Sequence, residues 1–111
     1  MEKLKNIFFR NNFKLTNETS KALEFENIKS KDVVYLMQSK EISIVMHPDT
    51  AESFKLKDDH NVKYHNTALK RFPKRMNGGQ DPIHYGYSFK LNSEDEADAF
   101  LNKLNRFCEA R

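Results

Sequence analysis

Four histidines are the side chains of this 111-residue chain best suited to moving protons near neutral pH: His47, His60, His65 and His84. His47 and His84 fall on the polar parity of stretches that alternate like β-strands. If those strands are neighbours, two imidazoles face one cleft, one as base and one as acid across a phosphodiester. Lys90, or a base between positions 70 and 75, would then steady the developing negative charge. That is the chemistry of a metal-independent ribonuclease, and His47, His84 and Lys90 form its candidate catalytic set. The plainer reading makes both histidines surface residues next to Pro48 and Gly86.

His60 and His65 are five positions apart, unlike the i, i+4 pair that binds metal on a helix, and no cysteine joins them. Asp58-Asp59-His60 would hold a cation only weakly, so neither a metal nor a cofactor is expected. Gly78-Gly79 lacks the Lys-Ser/Thr that follows a phosphate-binding loop, and no serine stands in a nucleophile elbow.

The strongest local signal is charge. Between positions 55 and 76 the chain carries Lys55, Lys57, Lys63, Lys70, Arg71, Lys74 and Arg75 against Asp58 and Asp59. These seven bases, with His47 and His84, are the expected binding residues. Around Phe72-Pro73 four cations flank an apolar pair, a contact surface for phosphates or for an acidic protein; the competing reading is a solvated basic loop. A net charge of +3 and a pI near 9.0 are mild for a dedicated nucleic-acid binder. Tyr85, Tyr87 and Phe89 share a parity with Ile83 and Leu91, which points to core and not to a base-stacking platform.

Elements must hold these residues in place. Glu2 to Asn12 reads as an amphipathic helix ended by Asn11-Asn12. Phe13 to Thr16 is a short strand, Lys21 to Asn27 a second, and Val33 to His47 a hairpin around Ser39-Lys40, closed by Pro48. Ile83 to Leu91 alternates strictly. Ala97, Phe100, Leu101, Leu104 and Cys108 then recur at helical spacing behind a cap at Ser93, with Glu96 placed to reach back. The span from Asp49 to Pro82 shows no convincing strand and reads as a surface excursion, with two helical turns at 66–72 stopped by Pro73.

The expected architecture is a single α+β domain over 1–111. It has two layers, an antiparallel sheet of about five strands with both terminal helices on one face. The other face, with Glu24, Glu26, Ser43, His47, His84, Ser88 and Lys90, would be partly wet.

A hydrophobic content of 38% and a charged content of 32% fit an ordinary soluble domain. No apolar run approaches a membrane span, and the N-terminus lacks a secretory h-region. With a lone Cys108, expected to be buried on the helix stripe, the expected location is cytoplasmic.

The spacing of Ile42 to His47-Pro48, Phe72-Pro73, His84-Tyr85-Gly86 and the terminal amphipathic helix resembles the small YgaC-type bacterial proteins, over about Lys21 to Phe107. The resemblance implies a cytoplasmic α+β domain and brings no catalytic residues. The expectation for function is a non-enzymatic interaction protein of inhibitor or immunity type, with a protein partner first. A nucleic-acid binder or the two-histidine ribonuclease is the alternative, and the oligomeric state is open.

Overall fold

The structure, a computed structural model, describes residues 2–54, 62–76, 78–79 and 81–110. In chain order these form α1 (Glu2–Arg10), β1 (Phe13–Glu18), β2 (Ala22–Asn27), β3 (Val33–Met37), β4 (Ile42–Met46), α2 (Pro48–Phe54), β5 (Val62–His65), β6 (Lys74–Arg75), β7 (Ile83–Leu91) and α3 (Glu94–Glu109). The fold is α+β. All pairings are antiparallel, in the order β1-β2-β3-β4-β7-β5, with β6 also on β7.

Short polar turns connect β1 to β4. Thr19 Oγ1 accepts from the amides of Lys21 and Ala22, and Asn27 Oδ1 accepts from those of Lys29 and Ser30. Such side-chain bonds satisfy amides that the ladder leaves open. Asn12 takes a left-handed φ of 68° and ends α1, as the Asn-Asn pair predicts. At α3, Ser93 Oγ accepts from Glu96 N, and Glu96 Oε2 accepts from Asn92 N, one residue outside the expected capping-box amide.

Both terminal helices cover one face of the sheet. Phe8 of α1 stacks on Phe25 at 4.0 Å between centroids, and Leu101, Leu104 and Cys108 of α3 are buried in the same core. Polar bonds fix the helices to each other and to the sheet: Asp98 accepts from Asn11 Nδ2 at 2.8 Å and from Arg10 at 3.1 Å, and Asn105 Oδ1 accepts from buried Asn27.

The span 49–82 departs from expectation. It contains α2, β5 and β6, so the sheet has seven strand segments, not about five. Pro48, which ends β4, also opens α2, where its missing N–H costs nothing. β5 and β6 are only four and two residues long and half-exposed or exposed. β6 has no apolar residue, and in β5 the alternation of Val62 and Tyr64 with Lys63 and His65 lasts only four residues, the shortest run that reads as a strand.

The face away from the helices is not simply wet. Ala22, Val33, Tyr35, Met37, Val45, Leu69 and Phe72 form a second buried cluster there. The chain leaves β5, crosses this face as residues 66–73, and reaches β6 on the opposite edge of β7. Asn66 N donates to His84 O and Tyr85 N to Pro73 O, and successive residues of a strand point to opposite edges. Two tight turns shape the crossing, with Leu69 N donating to Asn66 O and Phe72 N to Leu69 O. Burial of Leu69 and Phe72, roughly 1.5–3 kcal/mol each, holds an otherwise polar segment down.

Candidate functional site

The structure puts His47 and His84 on the second face and brings both to Phe72. His47 caps α2: its carbonyl accepts from Ala51 N, its Nδ1 accepts from Asp49 N at 3.0 Å, and its ring meets Phe72 edge-on at 5.4 Å. His84 Nδ1 lies 2.7 Å from Phe72 O and donates to it. The neutral tautomers therefore differ, with the proton on Nε2 in His47 and on Nδ1 in His84. Each imidazole has a local bonding role in addition to any role in a cleft. Lys90 faces the same side and pairs with Glu41 at 3.1 Å.

The bases do not gather on one surface. Lys63 and Arg75 pair with Tyr87 and Ile83, which directs them to the helix side, and the Arg75 guanidinium stands 5.6 Å from the Tyr85 centroid. Lys74 pairs with His84 on the second face, and Lys70 is exposed on the crossing segment. Lys55 and Lys57 lie outside the described residues, as does His60.

Arg71 is committed. Its guanidinium reaches Glu26 at 3.0 Å and Glu24 at 3.6 Å, and its amide donates to Tyr35 Oη at 3.1 Å. Burial works against its charge, but hydrogen bonding to Glu26 and the two carboxylates outweigh that and raise its pKa. Tyr35 donates to Glu24 Oε1 at 2.7 Å, and Thr16 donates to Glu24 Oε2. Burial and the bond to Glu24 push the Tyr35 phenol well above its ordinary range. This network ties the crossing segment to β2 and β3. A reading of sequence sees Glu24 and Glu26 only as polar-parity residues.

Tyr85 corrects another expectation. It belongs to neither buried cluster, because β7 extends past the reach of the helices. Its ring stacks on His65 at 5.7 Å, and His65 Nε2 is buried with no hydrogen-bond partner among the described residues.

The rest of the second face is a groove of about 650 Å³ beside the crossing segment, walled chiefly by Met37, Val62 and Tyr64, with Lys21 and Lys90 in its lining. On its floor Ser43 Oγ and Ser88 Oγ are 2.7 Å apart. The size lies within the range typical of ligand sites. Ser43 and Ser88 carried a polar-parity signal in sequence; their contact needed the β4–β7 register.

Among the described residues no group of three or more His, Cys, Asp or Glu is placed to hold a metal, and no helix is long and apolar enough to cross a membrane. No family model, curated protein or solved structure matches the chain.

Proposed function

We propose that the protein is a small cytoplasmic binding module that docks on an acidic surface of another protein and blocks it stoichiometrically. The docking surface is the second sheet face: the groove, with Lys70 and Lys74 on and beyond the crossing segment. The observation that carries this reading is the division of that face. Residues 66–73 seal one part with Leu69 and Phe72 and keep Arg71 paired inward, while a groove stays open beside them. Lys70 and Lys74 have no carboxylate within ion-pair distance among the described residues, so their charge is available to a partner. Exposed cations of this kind speed encounter and favour acidic partners more than they add affinity. The likeness to YgaC-type proteins is, in this proposal, one of fold.

The test is capture of partners from nuclease-treated extract on the immobilised protein, compared with Lys70→Glu/Lys74→Glu. Salt-sensitive, stoichiometric capture that the charge reversal abolishes supports docking through this face. Capture unchanged by the reversal contradicts it.

One observation favours the ribonuclease reading: the complementary tautomers of His47 and His84, an N–H on one Nε2 and a lone pair on the other. RNA cleavage without metal, lost in both His47→Ala and His84→Ala, would replace the binding-module reading.

A further inference from the structure

We infer that the groove receives a carboxylate on an apolar stem, specifically an acidic side chain flanked by aliphatic residues on an extended segment of the partner. This rests on the docking reading above. Ser43 and Ser88 are 8% and 7% exposed, so both floor residues are more than nine-tenths buried. Two hydroxyls that share one hydrogen bond use one of their two protons. The pair keeps a donor, and no second acceptor for it is found among the described residues. Tyr64 repeats the pattern: its hydroxyl accepts from Asn66 Nδ2 at 3.1 Å and retains its own proton.

Around these donors, Met37 and Val62 supply apolar wall, and Lys21 and Lys90 supply ammonium groups. Glu41, the carboxylate of the lining, is held by Lys90 at 3.1 Å. With Lys90 paired to Glu41, the groove presents spare donors and one net positive charge, that of Lys21, around an apolar body. Its complement is a group that only accepts, and an ionised carboxylate is that group. A phosphate fits less well, because neither an arginine fork nor a glycine-rich turn lies in the lining. A carboxylate oxygen that accepts from these hydroxyls makes charge-assisted hydrogen bonds, stronger than those of a neutral acceptor.

The experiment is a ¹H–¹⁵N titration of the intact protein with the blocked peptide acetyl-Leu-Glu-Leu-amide and its neutral isostere acetyl-Leu-Gln-Leu-amide. The expected result is saturable shifts confined to 20–21, 37–43, 62–66 and 88–90, with the glutamate peptide bound about tenfold more tightly. Ser43→Ala/Ser88→Ala should remove most of that preference. Lys21→Gln, an exposed change that leaves the floor intact, should weaken the glutamate peptide alone. Equal affinity for the two peptides, shifts scattered outside the groove, or no saturation each overturn the proposal. If it fails while Lys70→Glu/Lys74→Glu still abolishes partner capture, the docking reading stands without it. If capture ignores those lysines, the docking reading fails whatever the peptides do.

Discussion

The Phe72 ring lies directly over Gly86: a Cβ added to that glycine would come within 2.9 Å of Phe72 Cδ2 and 2.5 Å of Met46 O. β7 thus has a gap in its side-chain row where the crossing segment drops in. Phe72 fills it, packs edge-on against Tyr35 at 4.9 Å, and brings His47 and His84 to its ring and its carbonyl. The second face owes its division into a sealed part and an open groove to this contact.

Gly86→Ala should therefore cost about 2–3 kcal/mol, the upper part of the range of about 1–3 kcal/mol for forcing atoms into a packed site. Urea unfolding measures it. In a Phe72→Ala background the cost should shrink but not vanish, because Met46 O and Val45 Cγ1 still oppose the methyl group. Full additivity of the two changes would deny the contact.

Tyr35→Phe removes a hydroxyl that donates to Glu24 and accepts from Arg71 N. Glu24 is buried, so the expected loss is about 1–3 kcal/mol, more than an exposed hydroxyl deletion would give. The phenol also sets an alkaline limit. Its folded pKa is raised by burial first and by Glu24 second. The unfolded chain therefore releases this proton at lower pH, near the ordinary value of about 10. Stability should be level below that point and fall as pH rises beyond it. Tyr35→Phe should remove this part of the decline, and thermal unfolding across alkaline pH would show whether it does.

At the acid end Asp98 has the opposite sign. Hydrogen bonds from Asn11 first and Arg10 second hold its pKa below the usual carboxylate value. The unfolded state therefore takes up this proton first. The contribution of Asp98 is whole above an unfolded pKa of about 3.9 and is lost as pH falls through the lower folded value. Its side chain is 39% exposed, so screening keeps the effect small. Asn11→Ala should flatten stability against pH below about 4 relative to wild type. An unchanged acid slope would show that the α1–α3 clamp is not formed in solution.

Cys108 is 2% exposed on the buried stripe of α3. A thiol reagent should modify it only as fast as the helix opens, and at once in denaturant. Rapid modification under native conditions would place α3 away from the sheet.

Much of the architecture was legible in the sequence. The strict alternation of Ile83 to Leu91, the Ser93 cap and the helical spacing of Ala97 to Cys108 each follow from local periodicity, and these elements form where the pattern puts them. β5 and β6 were not legible, because β6 has no apolar residue, the alternation in β5 is only four residues long, and each exists by pairing with β7. The second buried cluster was hidden for a related reason. Leu69 and Phe72 sit in a basic, turn-rich segment whose landing site, Gly86, is distant in sequence. Tyr85 misled in the other direction: its parity is that of the core, but parity does not say where the covering helices stop. In the candidate site, residue types such as Ser43, Ser88 and Lys90 were visible as polar parity. That Arg71 turns inward to Glu24 and Glu26 while Lys70 stays outside depends on the crossing segment alone.

The most direct test of the divided face is native-state hydrogen exchange at the amides of Arg71 and Phe72, which donate to Tyr35 Oη and Leu69 O. If residues 66–73 seal this part of the sheet, both amides exchange only through substantial opening, within about tenfold of the core strand β3. Exchange at the rate of an unprotected loop would mean that the segment does not cover the sheet, and the docking surface described above would not exist.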